Sequence, residues 1–283
     1  MKYRARAASW VTLGPALVAA IVLAGCHSSA RAIRKNPRVE RFDYQVSVGQ
    51  DSFHIDGYLA RAQQPGRLPA LLVINPSGDA ARCIQSSLQL TQLEMQVACI
   101  SLPGTGKSSG PGRFVGPQAV AAARHALDLL SQRADIDPDR LGVWGLANGA
   151  VAAGLLMDVD ERPRVVILQS GAYDMTRFWP EARWFTKLSI LHQVWPSRRN
   201  LKERSVIEHL PPRLKCKVLI LHGEDDKRTP LRQAERLAAA LQERGASVKT
   251  RYFPEANHRL GPQAYTEVVD FLRTNLLPSS ASG

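Results

Sequence analysis

The chain has 283 residues, an ordinary apolar content and a formal net charge of +12 at pH 7. This length suits one large α/β domain behind an N-terminal targeting segment, with enough apolar residues to fill a core. The positive charge is not accompanied by a basic helix with interleaved aromatic residues or by a nucleic-acid-binding motif. A solvated basic surface is therefore favoured over nucleic-acid binding.

Residues 1–25 have the pattern of a bacterial signal peptide. Three cations in the first six residues precede the short apolar run 16–24. This run is shorter than the ~20 residues that a transmembrane helix needs. It ends in Leu23-Ala24-Gly25-Cys26, which resembles the lipobox of bacterial lipoproteins. The resemblance implies cleavage before Cys26 and lipidation of its sulfur; an uncleaved anchor or ordinary secretion is the alternative.

Residues 26–37 predict a basic tether between the lipidated cysteine and the folded domain. Its cations, Arg31, Arg34 and Lys35, favour an anionic leaflet. His27 follows the cysteine, where an aspartate would be expected for retention, and this resembles the default outer-membrane sorting state of Gram-negative lipoproteins. We expect a lipid-anchored protein of the bacterial cell envelope, at the outer membrane rather than the inner, with the lipid bilayer as its partner.

Three cysteines remain after Cys26, namely Cys83, Cys99 and Cys216. An odd number cannot pair completely, and the spacing is not that of a metal site. Cys99 and Cys216 lie in or beside apolar strand-like runs, where cysteine packs as a small apolar side chain. A bridge from Cys83 to another cysteine stays open, because the sequence does not fix the pairing.

Apolar runs and turn residues predict alternating strands and helices over a domain at 38–277. Residues 41–48 and 52–59 alternate apolar and polar side chains around a turn, which predicts an antiparallel hairpin. The run 70–74 is continuously apolar, as in buried parallel strands. The other predicted strands are 97–102, a run ending at Trp144, 165–169, 217–221 and 248–253; the predicted helices are 80–94, 117–133, 149–157, 231–244 and 263–276.

Repeated strand–helix units predict an α/β fold, with a doubly wound, mostly parallel sheet behind the antiparallel N-terminal hairpin. The alternation breaks at 174–214, an aromatic and basic stretch with several prolines, which we interpret as a helical cap insertion. Residues 278–283 form a small polar tail. Four aromatic side chains of the cap either pack it or line a cavity: Phe178, Trp179, Trp184 and Trp195.

A glycine-flanked turn follows the predicted strand that ends at Trp144. It reads Gly145-Leu146-Ala147-Asn148-Gly149 and leads into a helix of small residues. This is the pattern of a nucleophile elbow, G-x-S-x-G, whose strained turn presents a serine above a parallel sheet. Ala147 occupies the serine position, so the attacking oxygen is missing. The two glycines also have a purely structural explanation, because the helix of an elbow packs closely on its strand.

An aspartate and a histidine follow, in the chain order that the other two triad members have in such a fold. Asp226 and His258 each lie in a loop after a predicted strand, at the sheet edge where active sites of open α/β folds collect. A carboxylate there would fix the tautomer of the imidazole base. Asp225 competes with Asp226 for this role, and His222, at a strand end, is interpreted as structural.

These segments together resemble the α/β-hydrolase superfamily, in particular its dienelactone-hydrolase-like and serine-peptidase-like branches. The similar segments are 102–108 for a glycine-rich turn, 136–145 before the nucleophile, 221–230 around the catalytic acid and 253–258 around the histidine. The resemblance implies catalytic roles for Asp226 and His258. It also implies oxyanion N–H donors from Asn148 and from Ser77, because Pro76 has no N–H to donate.

The resemblance implies hydrolysis of esters, or less readily of amides, on a small ester or acyl ligand and without metal or organic cofactor. Two hypotheses stay open. One is a residual hydrolase that uses Asp226 and His258 with a water or another serine. The other, which Ala147 favours, is a non-catalytic pseudoenzyme that binds a ligand or partner at the membrane. The replacement serines lie outside any turn built to present them: Ser77, Ser108, Ser109 and Ser170.

Overall fold

One sheet organises the computed structural model, which describes residues 33, 36–75 and 79–277. The strands are β1 (Val39–Val48), β2 (Asp51–Ala60), β3 (Leu68–Asn75), β4 (Gln96–Ser101), β5 (Ile136–Leu146), β6 (Pro163–Gln169), β7 (Lys217–Gly223) and β8 (Val248–Phe253). Their order is β1-β2-β4-β3-β5-β6-β7-β8. The β1–β2 and β2–β4 pairs are antiparallel and the other five are parallel. The predicted fold class is confirmed.

Helices cover both faces of this sheet. They are α1 (Ala80–Ser87), α2 (Pro117–Ser131), α3 (Asn148–Val159), α4 (Met175–Glu181), α5 (Trp184–Leu191), α6 (Arg198–Glu203), α7 (Arg232–Glu243) and α8 (Pro262–Asn275). Buried side chains of α2, α3 and α7 form the core on one face, and those of α1 and α8 form the core on the other. In β3, Leu72 and Ile74 enter the first core, whereas Leu71 and Val73 enter the second. A strand buried on both faces must be apolar throughout, which explains the continuous run.

Two local features differ from the sequence prediction. The predicted helix 80–94 is α1 followed by the short 3₁₀ helix Leu88–Leu93, which ends at Glu94 in the left-handed region, with φ 56°. The strand before the elbow, predicted only as a run ending at Trp144, extends from Ile136 to Leu146. Its register with β3 shifts between Ile136 and Leu141, so the extra residues form an irregularity that accommodates Pro138.

The cap lies between β6 and β7 and contains α4, α5 and α6. Its own small core includes Met175, Phe178, Ile190 and Leu201. The cap helices are short, between six and eight residues. Helices of this length are marginal in isolation, so packing against the sheet domain maintains the cap.

A disulfide joins Cys83 of α1 to Cys99 of β4, with the two Cα atoms 5.9 Å apart. The bridge from Cys83 that the sequence left open is therefore made to Cys99, which the apolar context alone would describe as a packed side chain. The helix packs directly over the strand, a proximity that separation along the chain does not reveal. Cys216 is free and buried, and this burial raises the pKa of its thiol to about 11.

Removal of this disulfide is expected to destabilise the domain. The bridge spans 16 residues of sequence, and closing a loop of about 15 residues stabilises a fold by about 3 kcal/mol. A Cys83→Ala/Cys99→Ala variant should lose about that much free energy of unfolding in urea titrations. A Cys216→Ala variant is the matched control for a buried thiol. Equal stability of the double variant and the wild type would contradict the prediction.

The predictions for the two ends of the chain fall mostly outside the described residues. The predicted signal peptide at 1–25, the predicted lipidation site Cys26 and the tail at 278–283 are all outside them. Ile33, from the expected tether, is buried against the core that contains α1 and α8. Within the part of the chain that the structure describes, none of the helices is long and apolar enough to cross a bilayer.

Candidate active site

Ala147 lies in a strained turn between β5 and α3. Its backbone has φ 49° and ψ −113°, a conformation that L-residues adopt only under constraint. The turn is fixed on both sides, because the N–H of Ala147 donates to the carbonyl of Gln169 at 2.8 Å and its own carbonyl accepts from Ala150 at 3.0 Å. The side chain is a methyl group, half-buried and facing the cleft. The predicted elbow therefore has its expected geometry without an oxygen at its tip.

The glycines flanking the turn are required by close backbone packing. A Cβ on Gly145 would lie 2.2 Å from the carbonyl oxygen of Gly149, and a Cβ on Gly149 would lie 2.0 Å from that of Ile74. Neither separation is sterically possible without moving the backbone. The two glycines thus indicate the elbow turn, and they give no evidence for or against catalytic activity.

Asp226 and His258 are in direct contact at the same edge of the sheet. Nδ1 of His258 lies 2.7 Å from Oδ2 of Asp226. Oδ1 of Asp226 accepts the backbone N–H groups of Arg228 at 2.8 Å and Thr229 at 2.9 Å. Burial alone raises the pKa of the Asp226 carboxyl, but the hydrogen bonds from His258 and these N–H groups outweigh it and lower the pKa. The carboxylate is thus ionised and holds the proton of His258 on Nδ1, leaving Nε2 as the basic atom.

The competing acid, Asp225, is excluded from this contact. Its side chain is exposed and pairs with Lys227 at 3.2 Å. The two carboxylates are adjacent in sequence, so only the turn, which buries Asp226 and points Asp225 outward, distinguishes them.

His222 lies directly behind this pair. It is fully buried, its Nε2 donates to the carbonyl of Thr229 at 2.8 Å, and the same atom lies 3.5 Å from Oδ2 of Asp226. Burial lowers the pKa of its imidazole below the ordinary 6.5, because a charged ring would lose its hydration. His222 therefore supports the loop of Asp226 as a neutral side chain, in agreement with the structural interpretation from sequence.

The buried, neutral state of His222 predicts that stability falls in mild acid. Below pH 6.5 the unfolded chain takes up a proton that the folded state resists. Stability is full above that pH and is lost as pH falls toward the folded-state pKa, by at most about 1.4 kcal/mol per pH unit. Urea unfolding of the wild type and a His222→Gln variant, followed from pH 7.5 to 5, should show a shallower decline for the variant. Parallel profiles would contradict this assignment.

The candidate oxyanion donors are only partly described. Ser77 lies outside the described residues. Asn148 is the first residue of α3 and lines the cleft, and the N–H groups in the first turn of a helix have no partner within it. Asn148 therefore lies at the cleft, as predicted for the first donor. The predicted second donor, Ser77, is outside the described residues.

The alternative serines differ in their surroundings. Ser108 is buried, and its Oγ donates to the carbonyl of Ser101 at 2.9 Å. Ser109 accepts the N–H of His54 at 2.8 Å, so both serines brace backbone segments. Ser170 differs, because it lines the cleft with φ 55° and its buried Oγ has no hydrogen-bond partner among the described residues. Of these three described serines, only Ser170 is positioned at the site.

A cleft of about 730 Å³ opens over the elbow and reaches under the cap. Its apolar wall includes Phe114, Phe178 and Phe185, and its arginine lining residues are Arg228 and Arg259. Phe178 is thus a cavity residue, whereas Trp184 and Trp195 are exposed on the outside of the cap. Aromatic content left packing and cavity lining open, and only the cap packing decides which ring faces the cleft.

The sequence matches known proteins over this region. The profile of the prolyl oligopeptidase family matches residues 117–277. The uncharacterized peptidase YuxL of Bacillus subtilis is 31% identical over 128 residues, covering 44% of this chain and 19% of that protein. An uncharacterized protein of Mycobacterium tuberculosis is 30% identical over 203 residues, covering 69% of this chain and 65% of that one. The chain therefore spans less than two thirds of either relative.

Solved structures share the fold at low sequence identity. A puromycin-hydrolyzing peptidase of Mycobacterium tuberculosis superposes with a TM-score of 0.70 at 20% identity, over 84% of this chain and 39% of that one. Acetyl xylan esterase 1 of Thermoanaerobacterium superposes with a TM-score of 0.65 at 16% identity, over 87% and 90%. Peptidases and an esterase thus share this architecture, and at such identities the likeness concerns the fold alone.

Proposed function

The chain belongs to the prolyl oligopeptidase family of α/β-hydrolase-fold proteins, and from that premise we propose that it is a lipid-anchored envelope protein that binds an acyl ligand without ordinary serine-hydrolase turnover. The observation that carries the proposal is the methyl group of Ala147 at the tip of an otherwise intact elbow. Covalent catalysis needs an oxygen or sulfur at this point, activated by the neighbouring base. A methyl group supplies neither.

The cleft supports a ligand with both an apolar and an anionic part. Phenylalanine side chains supply apolar contact area along one wall. Arg228 and Arg259 are exposed, and within the described residues neither pairs with a carboxylate. No aspartate or glutamate is among the described residues that line the cleft. Acyl compounds that carry a carboxylate, such as fatty acids or the acids released from esters or amides, fit this combination.

Placement in the envelope rests on two features. The motif around Cys26 supports lipidation, and the Cys83–Cys99 disulfide supports an oxidising compartment, because disulfides are rare in reducing cytosol.

If Cys26 carries the lipid, a Cys26→Ser variant expressed in a Gram-negative host should move from the membrane fraction to the soluble periplasm. A Cys216→Ser variant serves as its control. Continued membrane retention of the Cys26→Ser protein after a high-salt wash, which removes proteins held by charge at the surface, would count against lipid anchoring.

The decisive experiment compares binding with turnover. We expect the native protein to show no covalent label with a fluorophosphonate and no turnover of a short-chain p-nitrophenyl ester. Decanoate should raise its melting temperature by mass action, and decanol, which lacks the carboxylate, should do so more weakly. Arg228→Gln/Arg259→Gln should abolish the difference between the two ligands. Arg164→Gln, at the opposite end of β6, is the matched control.

Labelling of the native protein would refute the absence of a nucleophile. Peptide mapping would then identify the attacking residue, with Ser170 as the first position to inspect because it lines the cleft. Equal stabilisation by decanoate and decanol would refute the anionic preference while leaving the binding role intact.

A second candidate function is slow hydrolysis by a water that His258 activates. The hydrogen bond between Nδ1 of His258 and Oδ2 of Asp226 favours it, since a binding protein has no need of an oriented base. Such activity would proceed without an acyl-enzyme, so ester turnover would persist with no fluorophosphonate label. Loss of that turnover in a His258→Gln variant would identify this mechanism.

A further inference from the structure

Large apolar side chains are exposed on the outer face of the cap. Trp184 is 74% exposed, Leu188 is 56% exposed and Leu191 is 39% exposed. At 3.6 residues per turn these three side chains of α5 fall within about 60° of one another. Trp195, four residues beyond Leu191, is 73% exposed. We call these four residues the cap patch.

Cations flank the cap patch along the chain. The segment 183–202 contains five lysines and arginines and no aspartate or glutamate, and the nearest acids, Glu181 and Glu203, lie just outside the segment. Arg183, Arg198 and Arg199 are exposed, and none of them pairs with a carboxylate within the described residues. Lys187 donates to the carbonyl of Pro180 at 3.0 Å and lies over the ring of Trp179. The face is therefore both apolar and positively charged.

The cap patch adjoins the entrance of the cleft. On the same helix, Phe185, Thr186 and Ser189 line the cleft, and Ile190 is buried in the cap core. The helix α5 thus has a core side, a cleft side and an exposed apolar side. Whatever covers the exposed side lies next to the route by which a ligand enters.

We propose that the cap patch inserts into the boundary between headgroups and acyl chains of an anionic bilayer, so that the cleft opens toward the membrane surface. Tryptophan and leucine on one helix face, flanked by arginine and lysine, are the combination that lies in this boundary. Arg183, Arg198 and Arg199 meet lipid phosphates, and the indole rings reach the interfacial layer. The contact is separate from the lipid on Cys26 and requires no turnover in the cleft.

The charge of the face favours a bilayer over a second copy of the chain. A symmetric dimer through the cap patch would bring the arginines of both copies together, and the segment 183–202 contains no aspartate or glutamate to compensate them. An anionic leaflet instead supplies the opposite charge across the whole face. The bilayer is thus the occupant that satisfies both the apolar and the charged side chains.

Quenching of tryptophan emission by brominated lipids tests the insertion locally. The full chain is mixed with vesicles of brominated phosphatidylcholine and phosphatidylglycerol, or of brominated phosphatidylcholine alone. Quenching by the anionic vesicles should be at least about twofold greater in the wild type than in a Trp184→Phe/Trp195→Phe variant. For this comparison both proteins also carry Trp10→Phe, so that quenching in the N-terminal segment does not contribute to the ratio. Equal quenching in the two proteins would overturn the proposal.

Vesicle affinity provides the second measurement. Arg198→Gln and Arg199→Gln should each weaken binding to anionic vesicles about fivefold. Trp184→Ser/Leu188→Ser should weaken it further, whereas Val159→Ser, which alters a 45% exposed apolar residue outside the cap, should not. Sedimentation of the protein without lipid tests the alternative occupant. If the wild type is a dimer that dissociates in the Trp184→Ser/Leu188→Ser variant, the cap patch binds a second copy of the chain, and the proposal of bilayer insertion is refuted.

Discussion

Ala147→Ser is expected to create a serine hydrolase from this protein. The elbow already has its strained backbone, and the base is already oriented by Asp226. A hydroxyl added to the half-buried methyl would project into the cleft that His258 also lines. Fluorophosphonate labelling should therefore appear only in the variant. Ester turnover should rise about 10³-fold or more, because an activated nucleophile is the single largest missing component.

Two further variants distinguish this gain from an indirect effect. Ala147→Ser/His258→Gln should lose the labelling, since the serine would have no base, whereas Ala147→Ser/His222→Gln should retain it. An Ala147→Val variant changes the same position without adding a hydroxyl, so it should gain neither labelling nor turnover. If the folded Ala147→Ser protein fails to label, then the oxyanion donors are missing or His258 does not reach the new hydroxyl. Descent from a hydrolase would then no longer explain the geometry of the site.

Gly149→Ala is expected to destabilise the fold severely. The added Cβ would lie 2.0 Å from the carbonyl oxygen of Ile74, which is backbone and cannot rotate away. Overpacking a core costs about 1–3 kcal/mol and more where backbone must move. We expect a loss of at least about 3 kcal/mol in urea unfolding, which the ~1 kcal/mol better helix propensity of alanine cannot offset.

Gly261→Ala is the matched control for this prediction. Gly261 precedes α8, and a Cβ there would meet no atom within 4 Å. Only its modest preference as a helix cap is lost, so the effect should stay within about 1 kcal/mol. If Gly149→Ala unfolds at the same urea concentration as this control, the close approach of α3 to β3 is not a property of the folded protein.

The Asp–His pair and the disulfide illustrate different limits of sequence-based prediction. Asp226 and His258 were located by motifs, because each follows a strand of a parallel sheet and the ends of such strands converge. The partner of Cys83 stayed open, because apolar context alone does not tell which cysteines come within bonding distance. His222 was predicted to be structural, but its hydrogen bond to the Asp226 loop was visible only in the tertiary structure.

The cap shows the same division at larger scale. Its position between two strands follows from the break in strand–helix alternation, and its aromatic and basic composition is visible in the sequence. Which side of α5 faces the cleft, the core or the exterior was decided by how three short helices pack. Phe185 and Trp184 are neighbours in the chain, yet Phe185, 42% exposed, lines the cleft, whereas Trp184 lies outside it and is 74% exposed.

The sequence by itself determined the α/β alternation, the position of the elbow and the alanine at its tip, because these depend on local periodicity and on the identity of single residues. Tertiary structure alone decided that Cys83 reaches Cys99 and which side of α5 faces the cleft, and it placed His258 against Asp226, the acid that the motif favoured over Asp225. The physical reason is that each of these outcomes depends on distances between segments far apart in the chain, which packing of the two cores sets and local preference does not.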